Sequence, residues 1–171
     1  MLHEKLLKGC VHMFTWKDMG TFVWAFFLTL PTVALIHAAG HLFFAKLFGA
    51  HVGMTLGQGK TLVKIGFLKI KSFYFVEARC TYNNLKRDQR MSHVLIHAGG
   101  CLFNMLSIAL VNGAIYKGWL PKHLFFYQFV YFSVYYIFFA LLPIRYGKGH
   151  YSDGLAIIHI LRKNKPAKLI D

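Results

Sequence analysis

The chain has 171 residues, 56% of them hydrophobic, 17% aromatic and only 15% charged. That much apolar and aromatic side chain excludes disorder, and so few charges cannot cover the surface of an ordinary soluble domain. The net charge of +14 would suggest nucleic acid for a soluble protein; in a membrane protein it matches basic loops on anionic headgroups, so no nucleic acid is expected.

What remains is one membrane domain over residues 1–171, expected to be an all-α integral membrane protein. It would have three transmembrane helices, an N-terminal interfacial helix, and a membrane-associated β-hairpin between helices one and two. Residues 1–20 place Leu2, Leu6, Cys10 and Met13 at helical spacing with lysines between, an amphipathic interfacial pattern without the apolar core of a signal peptide. Span one, 21–48, carries no Asp, Glu, Arg or Lys before Lys46, and Pro31 is placed to bend it. Residues 49–91 read as a cytoplasmic hairpin and loop. GQG at 57–59 is turn chemistry, and TLVKIGFLKIKSFYFV alternates and is rich in β-formers. An open strand edge cannot face lipid, so the hairpin must lie at the interface or pack into the protein. Span two covers 92–117 and span three 123–144, ended by Pro143. Residues 145–171 hold an Asp-Gly segment, a short helix and a basic tail. Eight basic residues lie between Gly49 and Met91 and six after Ile144, against five on the other side. This asymmetry puts the hairpin and the C-terminus in the cytoplasm. The three cysteines suggest no disulfide framework.

Polar groups at membrane depth are costly, which makes them functional candidates. His37 and His41, in HAAGH, are four residues apart and share one helix face, the geometry zinc takes from two helical histidines. His93 and His97 repeat the spacing. A third ligand is available in Asp153, which Pro143 and nearby glycines leave free to fold back; as an alternative, Asp153 could cap the helix that follows it. Two imidazoles and one carboxylate would leave a fourth zinc position for water. Asn104, at similar depth in span two, could contact a polarised carbonyl or an oxyanion. His97 and His150 are candidates for hydrogen-bonding the ligands from outside.

Four pieces in order resemble the site-2 protease family of intramembrane zinc metalloproteases. HAAGHLFFAKLFG resembles the H-E-x-x-H helix and its continuation, and LGQGK the glycine-rich start of the hairpin. GCLFN resembles the G-P-x-x-N span, and LLPIRYGKGHYSDG the segment ending in Asp-Gly. The resemblance implies Zn2+ held by His37, His41 and Asp153, and hydrolysis of a peptide bond in a membrane-spanning or membrane-associated substrate near the cytoplasmic face. The partners would then be that substrate, bound along the 60–78 hairpin edge, and the lipid bilayer. Cys101 stands where the family has proline. More seriously, Ala38 stands where the family has the glutamate that takes a proton from zinc-bound water. Loss of a general base costs 10²–10⁴-fold or more, so zinc binding without useful turnover is expected. Either the glutamate was replaced to trap an inactive form, which the otherwise intact motifs favour, or the chain is a natural non-catalytic pseudoprotease that holds membrane peptides. A haem-binding electron-transfer protein is the alternative from another class, with the two H-x-x-x-H pairs as axial ligands.

Overall fold

Pro31 shapes the first membrane helix. In the computed structural model, which describes residues 16–147 and 150–163, helix α1 (Trp16–Trp24) runs through a π turn (Ala25–Thr29) into helix α2 (Leu30–Leu47). A proline nitrogen has no hydrogen to donate, and its ring crowds the carbonyl four residues back, so the turn before it widens. That carbonyl belongs to Phe27, and the Tyr74 hydroxyl donates to it at 3.4 Å. A strand side chain thus reaches the helix carbonyl that the proline nitrogen cannot serve. The interfacial helix expected over 1–20 lies largely outside the described residues.

After Gly49, whose φ of +80° turns the chain, strands β1 (His51–Ile65) and β2 (Leu68–Asn83) form an antiparallel pair. Pairing runs from His51↔Asn83 to Leu56↔Ala78, and again from Thr61↔Lys71 to Ile65↔Leu68. Met54, Thr55 and Leu56 have second partners in Leu68, Lys69 and Ile70, so three runs of chain lie side by side there. This layer places Met54, Leu56 and Cys80 in one apolar cluster with Ala38 of α2. Further along, the Phe75 ring rests on Phe26 and Phe27 at 5.5 and 5.0 Å. The strands therefore follow the first membrane helix from Ala38 back to Phe27, roughly 16 Å of helix.

The expected all-α class is overturned. Strands of 15 and 16 residues form one wall of the structure, and the protein is a mixed helix-and-strand membrane protein. The physical reason is that strand backbone can lie beside a membrane helix once its polar groups are paired with other strands, and β1 and β2 supply that pairing.

Helix α3 (Arg90–Tyr116) and helix α4 (Leu124–Leu141) complete the set. Among the described residues, three stretches are long and apolar enough to cross a membrane: Met19–Leu47, Arg90–Tyr116 and Leu124–Leu141. Helices α2 and α3 meet at Gly40 and Gly99, where a Cβ on either would run into the other's backbone. Such close contact between small residues is how membrane helices gain packing without a hydrophobic driving force between them. Beyond Pro143 the chain folds back through two short antiparallel strands, β3 (Arg145–Gly147) and β4 (His150–Tyr151), into helix α5 (Asp153–Lys163).

Candidate metal centre

Ser152 sets the position of Asp153. Its hydroxyl donates to the Leu142 carbonyl at 2.5 Å and accepts from the Ile144 and Leu155 amides at 3.1 and 3.2 Å. One side chain therefore caps the start of α5 and ties it to the end of α4. Gly154 permits the approach, because a Cβ there would overlap the Leu141 backbone. With Ser152 as the cap, Asp153 is released from the capping role and turned inward.

Three histidines from two helices meet that carboxylate. His37 Nε2 lies 3.0 Å and His41 Nε2 3.5 Å from Asp153 Oδ2, and His97 Nδ1 lies 3.2 Å from Oδ1. Burial alone would raise the Asp153 carboxyl; the charge of His41 and the hydrogen bonds from His37, His41 and His97 outweigh it and hold the group well below the usual carboxylate range. The His41 ring is fixed by its other nitrogen, since Nδ1 donates to the Ile96 carbonyl at 2.7 Å. That bond keeps a proton on Nδ1 and turns Nε2 toward the site, so that release of the Nε2 proton would give the arrangement usual for metal-bound histidines. The His37 ring packs on Tyr136 of α4, with centroids 4.8 Å apart. Gly100 makes room for it, because a Cβ there would meet the imidazole.

The two His–Asp153 separations suit zinc. Ligand bonds of about 2.0–2.1 Å at tetrahedral angles separate neighbouring N and O donors by roughly 3.3 Å, and the two His–Asp153 separations of 3.0 and 3.5 Å lie on either side of that value. Buried polar atoms without a partner among the described residues include His97 Nε2 and Asn104 Oδ1. The Asn104 amide nitrogen is 3.5 Å from His37 Nδ1. Turning the amide over would let Oδ1 accept from His37 Nδ1–H and leave Nε2 free to bind metal. Asn104 is fully buried, and its amide group faces the His37 ring.

Three positions carry more than the sequence suggested. Ala38, at the place of the missing glutamate, is 1% exposed within the Met54–Leu56–Cys80 cluster. The Cys80 thiol, pushed up to about 12 chiefly by burial and then by the Asp153 charge, keeps its proton and donates to the Ala38 carbonyl at 3.2 Å. Cys101 joins His37 and Asp153 in a group whose ligand atoms all lie within 4.8 Å of one another. His97, Gly100, Cys101 and Asn104 follow one another at helical spacing on α3, and that stripe was visible in the sequence. The second pair behaves differently. His93 gives one nitrogen to Asp88 Oδ1 at 2.6 Å and the other to the Tyr82 hydroxyl at 3.0 Å. The His150 side chain lies outside the described residues.

No family model matches the sequence, and no solved structure matches the chain. Over 150 residues the chain is 49% identical to the uncharacterized membrane protein YwmF of Bacillus subtilis (strain 168), a match covering 88% of this chain and 94% of that protein. Long identity at that level, together with three membrane-length apolar helices, establishes the kinship: the chain is a membrane protein and belongs to the same family as YwmF.

Proposed function

We propose that the protein carries one zinc ion within the membrane, held by His37, His41 and Asp153, on the scaffold of an intramembrane metalloprotease, and that in this sequence it holds membrane peptides without cutting them. The observation that carries the reading is the approach of both Nε2 atoms to a single carboxylate oxygen, with the other nitrogen of His41 held by the Ile96 carbonyl. Zinc bound there would polarise a carbonyl and acidify water. Hydrolysis would still need a base, and position 38 offers a methyl group inside an apolar cluster.

The strands support holding. Gln58–Ile65 is exposed along its length and pairs on one side with Leu68–Phe73, so its outer edge can accept an extended peptide. That edge is separated from Ala38 by the runs at Leu68–Ile70 and Met54–Leu56. A peptide bound there is kept away from the metal. The excess of basic residues supports a cytoplasmic hairpin and C-terminus as part of this reading.

Metal analysis of the full-length protein purified in detergent tests this. About one zinc per chain is expected, lost in His41→Ala, with no cleavage of membrane peptides. A wild-type protein that stays metal-free in excess zinc would defeat the reading, and zinc-dependent cleavage would defeat its non-hydrolytic half. A Soret band would favour the haem alternative, but His93 has both ring nitrogens engaged by Asp88 and Tyr82 and so is poorly placed as an axial ligand.

A further inference from the structure

We infer that Cys101 is a fourth ligand to the same metal, so that the centre is closed to water. The inference rests on the zinc reading above and extends it. In the metalloprotease arrangement three protein ligands leave one position for water. Here a fourth donor already stands at the site. The Cys101 sulfur lies within 4.8 Å of ligand atoms of both His37 and Asp153, is 5% exposed and forms no disulfide among the described residues. It sits on α3 beside Gly100, the residue whose missing side chain makes room for the His37 ring. Around a tetrahedral zinc, sulfur stands roughly 3.6 Å from neighbouring N or O donors, against the 4.8 Å within which it already lies of His37 and Asp153.

The chemistry balances. As zinc binds, the S–H bond breaks, the sulfur–zinc bond forms with the sulfur's electron pair, and the proton passes to water; nothing is oxidised or reduced. Asp153 uses Oδ2 toward His37 and His41, and keeps Oδ1 for His97 Nδ1 at 3.2 Å, the outer hydrogen bond that orients a ligating carboxylate. Closed sites with a thiolate are the structural and storage type of zinc site. Two separate departures from a hydrolytic centre then agree: position 38 lacks the base, and position 101 fills the place of water. On this reading Ala38→Glu alone does not create a protease, because the water position stays occupied.

Cobalt substitution of the full-length protein in detergent tests the assignment. The wild type should show thiolate-to-cobalt charge-transfer absorption. Cys101→Ser should lose that band while retaining tetrahedral cobalt absorption, and Cys80→Ser should keep the band. Zinc affinity of Cys101→Ser should fall by at least the roughly 10-fold that loss of an outer-shell partner costs. X-ray absorption on wild-type zinc protein gives the same answer without a variant, through one sulfur scatterer at about 2.3 Å. Tetrahedral cobalt without a thiolate band, or a band that disappears with Cys80 and not with Cys101, overturns the inference and leaves the zinc reading standing. A wild-type protein that takes up no cobalt or zinc overturns both.

Discussion

His37/His41 and His93/His97 have the same spacing on two helices that touch each other, yet they form different environments. The first pair points both Nε2 atoms at one oxygen of Asp153. The second pair divides: His93 is held by Asp88 and Tyr82, and only His97 turns toward Asp153. Helical periodicity places two side chains on one face, but it does not say what the face will meet. A segment more than a hundred residues away decides that for the first pair, and a nearby loop and strand decide it for His93.

The sharpest way to break the comparison is to remove the two carboxylates in turn. Asp153→Asn should abolish zinc binding and destabilise the packing of α5, because three buried imidazoles lose their common partner. Asp88→Asn should leave zinc stoichiometry unchanged, since His93 lies outside the group. Equal loss of zinc in both variants, measured by metal analysis, would show that the two pairs are not distinct.

A smaller effect is expected from Ser152→Ala, which removes the cap of α5 and its tie to Leu142 and Ile144. Loss of a serine cap costs about 1 kcal/mol, and the additional bond to α4 adds to it. Thermal unfolding in detergent should shift downward and zinc affinity should fall with it, because Asp153 is no longer held inward. An unchanged affinity would mean that the carboxylate is positioned by its histidines alone.

The smallest effect belongs to the far end of the strand layer. Tyr74→Phe leaves the Phe27 carbonyl without its donor and should cost about 1 kcal/mol, with zinc binding unchanged. A loss of zinc in Tyr74→Phe would mean that the strand layer and the metal group are coupled through α2 more tightly than the contact between Cys80 and Ala38 suggests.

Much of the candidate site could be read from the chain. HAAGH sits in a stretch free of charge until Lys46, so a pair of polar rings on one membrane-helix face was evident, and Asn104 could be placed at similar depth by counting residues along span two. Asp153 could be nominated as a ligand but not freed from a capping role, because the hydroxyl that takes that role belongs to its neighbour Ser152 and works through contacts with Leu142 and Ile144. Cys101 looked like an ordinary replacement for proline, since closeness to His37 arises only when α2 and α3 meet at Gly40 and Gly99. The strand layer was located correctly along the chain, yet its weight in the architecture was underestimated. Alternation reveals a strand, whereas the apposition of Met54, Leu56 and Cys80 to Ala38 depends on which way the hairpin folds.

The sequence by itself determined that the protein lives in a membrane, where its apolar helices lie, and which imidazoles share a face, because hydrophobicity and a 3.6-residue repeat are local properties. Only the tertiary structure decided that Asp153 meets those imidazoles, that His93 is drawn elsewhere, that Cys101 stands beside His37 and Asp153, and that strands form a wall of the core. Each of these is a contact between distant parts of the chain, and such contacts are set by which surfaces can pack together and satisfy one another's buried polar groups.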